Sequence, residues 1–262
     1  MGHQRLGKLP AFKMLPDIIK YLVSGGTPTA ELVSQVTEFG RDALKAALND
    51  KVFIEALWLL ISLPQAAAAK NSAESLATIG VRDPNLSSVS DVLVAYDQCL
   101  ERAQRSHHSH STDLGEIARQ AGLSALGEAL SNSLPSLWAP TANDIRTSLA
   151  ALKGTEQFSA LAHGFYSKFV ERVIHYYVDR NLHKMVGAER VARSVHDLRA
   201  FNESIRRHCD EAALIMRAFS RDWLGKNHYK DGKQISKDDV KRFSAHAVDK
   251  IRIELDIRKG AQ

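Results

Sequence analysis

Cysteine, proline and glycine are scarce in this sequence, and each shortage removes a class of architecture. Only Cys99 and Cys209 occur in 262 residues, with no C-x-x-C spacing. A disulfide-stapled secreted scaffold and a thiolate zinc cluster both need more sulfur than that. Two packed thiols in a reducing cytoplasm are the expectation, and the start MGHQRLGKLP carries no secretory pattern. The 7 prolines and 15 glycines fall between periodic segments, so no low-complexity or collagen-like chain is expected. Long apolar runs are missing too. The most apolar stretch, VFIEALWLLISL (52–63), is about half a membrane span and contains Glu55, which predicts a buried core helix and no membrane partner. Leu6 stands where a myristoylation signal wants Ser or Thr. There is no P-loop, G-x-G-x-x-G, G-x-S-x-G or H-E-x-x-H, which argues against NTP hydrolysis through a Walker site.

What is present is helix-forming. The hydrophobic fraction is 44% and the charged fraction 25%, ordinary for a globule, and Ala, Leu, Arg, Lys and Glu dominate. No alternating strand pattern exceeds about four residues. Apolar periodicity and turn residues predict helices over 16–24, 27–49, 51–63, 72–79, 88–104, 114–132, 141–152, 155–183 and 189–223, and a last one opened by Ser236. Pro64 should slow or stop the third of these, with 65–70 as an extension at a shifted angle. Asp113 and Glu116 have capping-box spacing. In 189–223, the residues Val191, Val195, Leu198, Phe201, Ile205, Cys209, Ala212, Met216, Phe219 and Trp223 follow at steps of three or four. The fold class is all-α: an irregular bundle of about nine to ten helices in two sub-bundles. The boundaries expected are 1–104, a polar His-rich linker at 105–113, and 114–262.

Charge divides unevenly between the halves. Residues 1–131 hold 12 Lys/Arg against 14 Asp/Glu, and residues 132–262 hold 23 against 16. A basic half attracts nucleic acid or an acidic protein, although interleaved charges usually mean a solvated, ion-paired surface. Basic residues with nearby aromatics mark one nucleic-acid candidate: Arg206, Arg207, Arg221, Lys226, Tyr229, Lys230, Lys233 and Lys241, with Trp223 and Tyr229 as stacking groups. Trp223 also completes the apolar series above, which favours the core for it.

The stretch ERVIHYYVDRNLH (171–183) places Glu171, His175, Asp179 and His183 four residues apart. Side chains at i and i+4 lie about 6 Å apart, so His175/Asp179 or Asp179/His183 suits one metal ion. Each four-residue step drifts about 40° around the helix, so the full stripe wanders about 120° and cannot converge on one ion. A third ligand must come from elsewhere, with His196, His208 and His246 as suppliers. Lys168 and Arg172 share the stripe, as they would on a half-exposed helix with Glu171–His175 and Asp179–His183 pairs. His196-Asp197 resembles the dipeptide of HD phosphohydrolases, and Arg190/His196 has the spacing of helical HEPN RNases. With 19 Arg and 11 His, such spacings arise largely from composition. His107, His108 and His110 lie in a polar stretch that reads as linker.

The stretches LAHGFYSKFVERVIHYYVDRNL (161–182), FNESIRRHCDEAALIMRAFSRDWLGKN (201–227) and VKRFSAHAVDKIRIEL (240–255) resemble uncharacterised all-helical accessory proteins of bacterial antiphage defence gene clusters. The resemblance brings no catalytic residue and no cofactor. It implies a cytoplasmic accessory protein working beside other components. The reading is therefore a non-enzymatic helical adaptor or subunit, with a protein partner or a second copy of itself. The alternatives are a metal-dependent or HEPN-like nuclease or phosphohydrolase, and a nucleic-acid-binding module.

Overall fold

Helix starts in this protein are set by short oxygen-bearing side chains, which satisfy backbone N–H groups that the first turn leaves unpaired. The structure, a computed structural model, describes residues 43–106, 112–135, 139–182, 195–228 and 235–260. Among the described residues are nine helices and no strand. They are α1 (Lys51–Ala67), α2 (Ser72–Thr78), α3 (Val89–Ser106), α4 (Asp113–Ser133), α5 (Ala142–Ala151), α6 (Thr155–Leu182), α7 (Val195–Ala213), α8 (Ile215–His228) and α9 (Lys237–Gly260). Residues 43–47 add a further helical turn. The helices expected at 16–24 and over most of 27–49 lie outside the described residues, as does His107–His110.

Asp50 opens α1, its Oδ1 accepting from the backbone N–H of Val52 at 2.8 Å and of Phe53 at 3.0 Å. Thr112 opens α4, its Oγ accepting from Gly115 N–H at 2.9 Å. The same hydroxyl donates to Asp50 Oδ2, so the caps of α1 and α4 are tied together. This differs from the capping box expected at Asp113 and Glu116. Thr112 wins because its hydroxyl both donates and accepts, which leaves Asp113 to receive the Tyr176 phenol at 2.5 Å. Thr141 with Asp144 forms a full capping box on α5. Ser236 and Asp239 do the same on α9 through Asp239 N–H to Ser236 Oγ at 3.2 Å and Ser236 N–H to Asp239 Oδ2 at 3.1 Å.

Two interior expectations change. Helix α1 runs through Pro64 to Ala67, and Ala68 N–H still reaches Pro64 O at 3.1 Å. Proline forfeits one N–H there, but its apolar ring is buried in the core beside Leu63 and Ala66. The long helix expected over 189–223 breaks at Leu214, where Leu214 N–H bonds Glu211 O at 3.2 Å and Arg217 N–H bonds Leu214 O at 3.0 Å. These i→i−3 bonds tighten one turn, where α7 ends and α8 begins. Residues 189–194 lie outside the described residues, while Ile205, Cys209, Ala212 and Met216 are buried as the periodicity requires.

Helix α6 is the hub, packed against α4, α7 and α8, while α1 packs against α2, α3, α4, α5 and α9. Phe53 of α1 reaches α6 directly, its ring 5.7 Å from Phe165, 6.3 Å from Tyr166 and 4.9 Å from Phe169. A second aromatic group joins α6, α8 and α9: the Trp223 and Phe243 rings are 4.5 Å apart and Phe158 lies 6.3 Å from Phe243. Small residues on α4 permit close approach. Tyr96 of α3 passes over Gly122, and its phenol donates to Ala56 O at 3.1 Å. A methyl group on Gly122 would overlap that phenol. Gly122→Ala should therefore destabilise the protein by about 1–3 kcal/mol, through overpacking. Gly225→Ala, on α8 with no atom within 4 Å of the new carbon, should instead stabilise by roughly 0.5–1 kcal/mol. Urea unfolding of the two variants checks the pair, and equal effects would contradict this packing.

Candidate functional site

Helices α7 and α8 run back along α6, because Asp210 meets His163 and Arg221 meets Glu156. In the seam between α6 and α7, buried His163 points Nε2 at Asp210 O, 3.0 Å away, and at Asp210 Oδ1, 3.2 Å away. Both are acceptors, so Nε2 carries the proton. Ser167, one turn on, donates to the same Oδ1 at 3.3 Å. Serine, histidine and a carboxylate thus meet, but in the order of a clamp. A nucleophilic relay needs imidazole between serine and acid; here the carboxylate stands in the middle and takes a proton donor from each side. Cys209, beside this group, is buried, and burial pushes its thiol pKa up; Cys99 shifts the same way. Neither thiol is poised as a nucleophile.

The predicted metal stripe is partly described. Glu171 and His175 come together on α6, with His175 Nε2 3.9 Å from Glu171 Oε1, too long for a hydrogen bond. Asp179 belongs to α6 but its side chain lies outside the described residues, as do His183 altogether and the side chain of His196. Among the described residues no three His, Cys, Asp or Glu side chains converge as metal ligands. Lys168 and Arg172 are spent on α4: Lys168 Nζ lies 2.7 Å from Glu128 Oε2, and Arg172 donates to Ser124 Oγ at 2.6 Å.

The predicted basic group is also divided. Arg206, Arg207, Lys226 and Lys241 are exposed. Arg221 is bound to Glu156, its Nε 2.6 Å from Oε1. Tyr229, Lys230 and Lys233 lie outside the described residues. Trp223 packs on Phe158 and Phe243, so its ring belongs to the core.

A separate constellation joins the first half of α1 to the start of α9. Glu55 is the one acid among the buried polar residues described, at 7% exposure. Its Oε2 lies 2.5 Å from Lys237 Nζ, which also sits 4.8 Å above the Trp58 ring. Trp58 Nε1–H donates to Ile235 O at 2.9 Å. One lysine, one carboxylate and one indole therefore dock the start of α9 onto α1. A cleft of about 230 Å³ opens beside them, lined by Leu48, Asp50, Lys51, Ile54, Lys237 and Lys241 among others.

Two features of the sequence could have pointed to these groups. His163 and Ser167 extend the every-fourth-residue stripe of 171–183 upstream, and Glu55 is the lone charge in the apolar run 52–63. Asp210, Lys237 and Trp58 carried no such signal. No family model, curated protein or solved structure matches the chain. Among the described residues, no helix is long and apolar enough to cross a membrane.

Asp239 supplies a pH test of how α9 is seated. Hydrogen bonds from the Ser236 side chain and backbone, then Arg242, hold its carboxyl below the ordinary value of 3.8. A depressed folded-state pKa adds stability that is present above the unfolded value and is lost as pH falls through the folded one. Asp239→Asn should lower the melting temperature at neutral pH, and the deficit should shrink below about pH 4. A deficit independent of pH would contradict this role.

Proposed function

We propose that the chain is a non-enzymatic helical adaptor or complex subunit that acts through protein–protein contacts. The observation that supports it best is the use made of its reactive side chains. His163, Ser167 and Asp210 clamp α6 to α7, Tyr176 binds Asp113, Arg172 binds Ser124, and Glu55 with Lys237 seats α9. Groups that an active site would present to a substrate are engaged in helix contacts. The outer side of α7 and α8 leaves Arg206, Arg207, Leu214 and Arg217 exposed, a surface suited to a partner. Membership of a bacterial defence complex is part of the same proposal and rests on the resemblance of 155–256. Capture of the tagged full chain, followed by mass photometry, should give a complex of fixed stoichiometry, with a partner or with itself. A persistent monomer that retains nothing near one-to-one would overturn the reading.

A second reading, nucleic-acid binding, is favoured by one observation: Arg206, Arg207 and Lys226 are exposed and have no ion pair among the described residues. It requires an affinity that falls steeply with salt and weakens in Arg206→Ala/Arg207→Ala. No gel shift at low salt would end it.

A further inference from the structure

On the outer side of α7 and α8, Glu203, Arg207, Asp210 and Arg217 alternate in sign. Read backwards, the series presents the opposite charge at every step. We propose that this face binds a second copy of the chain, antiparallel, across a twofold axis. The inference rests on the adaptor reading and names the partner.

All four residues are exposed, and their spacing keeps them on one side of the helix. Leu214 completes the series at steps of four and three, and it is 45% exposed. Glu203, Arg207 and Arg217 have no ion pair among the described residues, although Glu203 and Arg207 stand four apart. Asp210 gives Oδ1 to His163 and Ser167, and its side chain remains 55% exposed. Glu203 and Arg217 are separated by about 21 Å of helix, so they cannot pair within one chain. In an antiparallel copy Glu203 meets Arg217 and Arg207 meets Asp210, each contact occurring twice. The first pair has its midpoint at position 210, and the second between 208 and 209. These midpoints lie only about 2 Å apart along the axis, which an arginine side chain spans, so one twofold axis serves both pairs. Leu214 then lies against the stems of Glu203 and Arg207 of the other copy. Arg206 sits on the flank of the stripe, beside the same Asp210 contact.

Other occupants match this order less well. A parallel copy would set Arg207 against Arg207 and Glu203 against Glu203. A polyanion would meet Glu203 and Asp210 between the arginines, and a uniformly basic partner would meet the arginines. Only a partner with the same alternation, running the other way, opposes each charge of the series with its opposite, and the chain itself is such a partner.

The test is sedimentation equilibrium of the intact protein at micromolar concentrations and low salt. The parent should rise from monomer to dimer and no further, because a twofold contact closes on itself. Glu203→Arg and Arg217→Glu each set like charges opposite one another in both copies, and each should weaken the dimer about tenfold. The double variant Glu203→Arg/Arg217→Glu exchanges the signs and should restore the dimer to within about threefold of the parent. That rescue can arise only between copies. The variants should melt as the parent does, because both side chains face water. The proposal fails if the parent is monomeric throughout or if either single variant dimerises as the parent does. It also fails if the double variant dimerises no better than the single ones, or if a monomeric parent shifts oligothymidylate on a gel. A captured complex of one copy with a different protein removes the second copy and leaves the adaptor reading in place. A monomeric parent that captures nothing removes both.

Discussion

Phe53 is the side chain on which the arrangement of helices depends. Its backbone N–H is taken by the Asp50 cap, and that cap is bonded to Thr112 at the start of α4. Its ring sits among Phe165, Tyr166 and Phe169 of α6. One residue therefore links the entry of α1, the entry of α4 and the middle of the hub helix. Aromatic pairs of this kind contribute about 0.5–1.5 kcal/mol each beyond the area they bury. Shifting Phe53 would move α1, and with α1 the Glu55, Trp58 and Leu48 that meet α9 and the cleft. Tight packing makes such a shift discrete, because buried rings have no spare volume to slide into.

Around this joint the polar side chains behave as fasteners. Helix α6 buries apolar residues on several sides, so it has no single wet face, and its polar residues fall in the seams. His163 and Ser167 meet Asp210 in one seam, and Lys168 and Arg172 meet Glu128 and Ser124 in another. The pairings give buried His163 and Ser167 acceptors and tie α4 and α7 to α6, while Arg172 Nε stays buried without a hydrogen bond. The same logic holds at α9. Glu55 would be expensive unpaired in an apolar helix, and Lys237 resolves it while bringing in Ser236 and Asp239. The cleft is a by-product of that docking, bordered by three lysines and three carboxylates.

The all-helical fold was legible because apolar periodicity and turn residues agree over most of the chain. The steps of three and four through Ile205, Cys209, Ala212 and Met216 remain buried even though the helix breaks at Leu214. The break was hidden because the periodicity continues across it. Helix α1 continues past Pro64 because burial of an apolar ring outweighs one lost N–H, a tertiary effect invisible in the local rule. The site was less legible. Glu171 and His175 announce themselves by spacing, yet the clamp lies one to two turns upstream, where His163 and Ser167 meet Asp210, 47 and 43 residues away in sequence. Lys237 is separated in the same way, and only the packing of α9 on α1 brings it to Glu55 and Trp58.

The most direct test of this account is hydrogen exchange resolved by helix in Phe53→Ala. Removing a buried phenyl ring costs about 3–5 kcal/mol. If Phe53 joins the helices as described, protection in α1, α4 and α6 should fall together and by the same free energy. Loss of protection in α1 alone, with α6 as protected as in the parent, would contradict it.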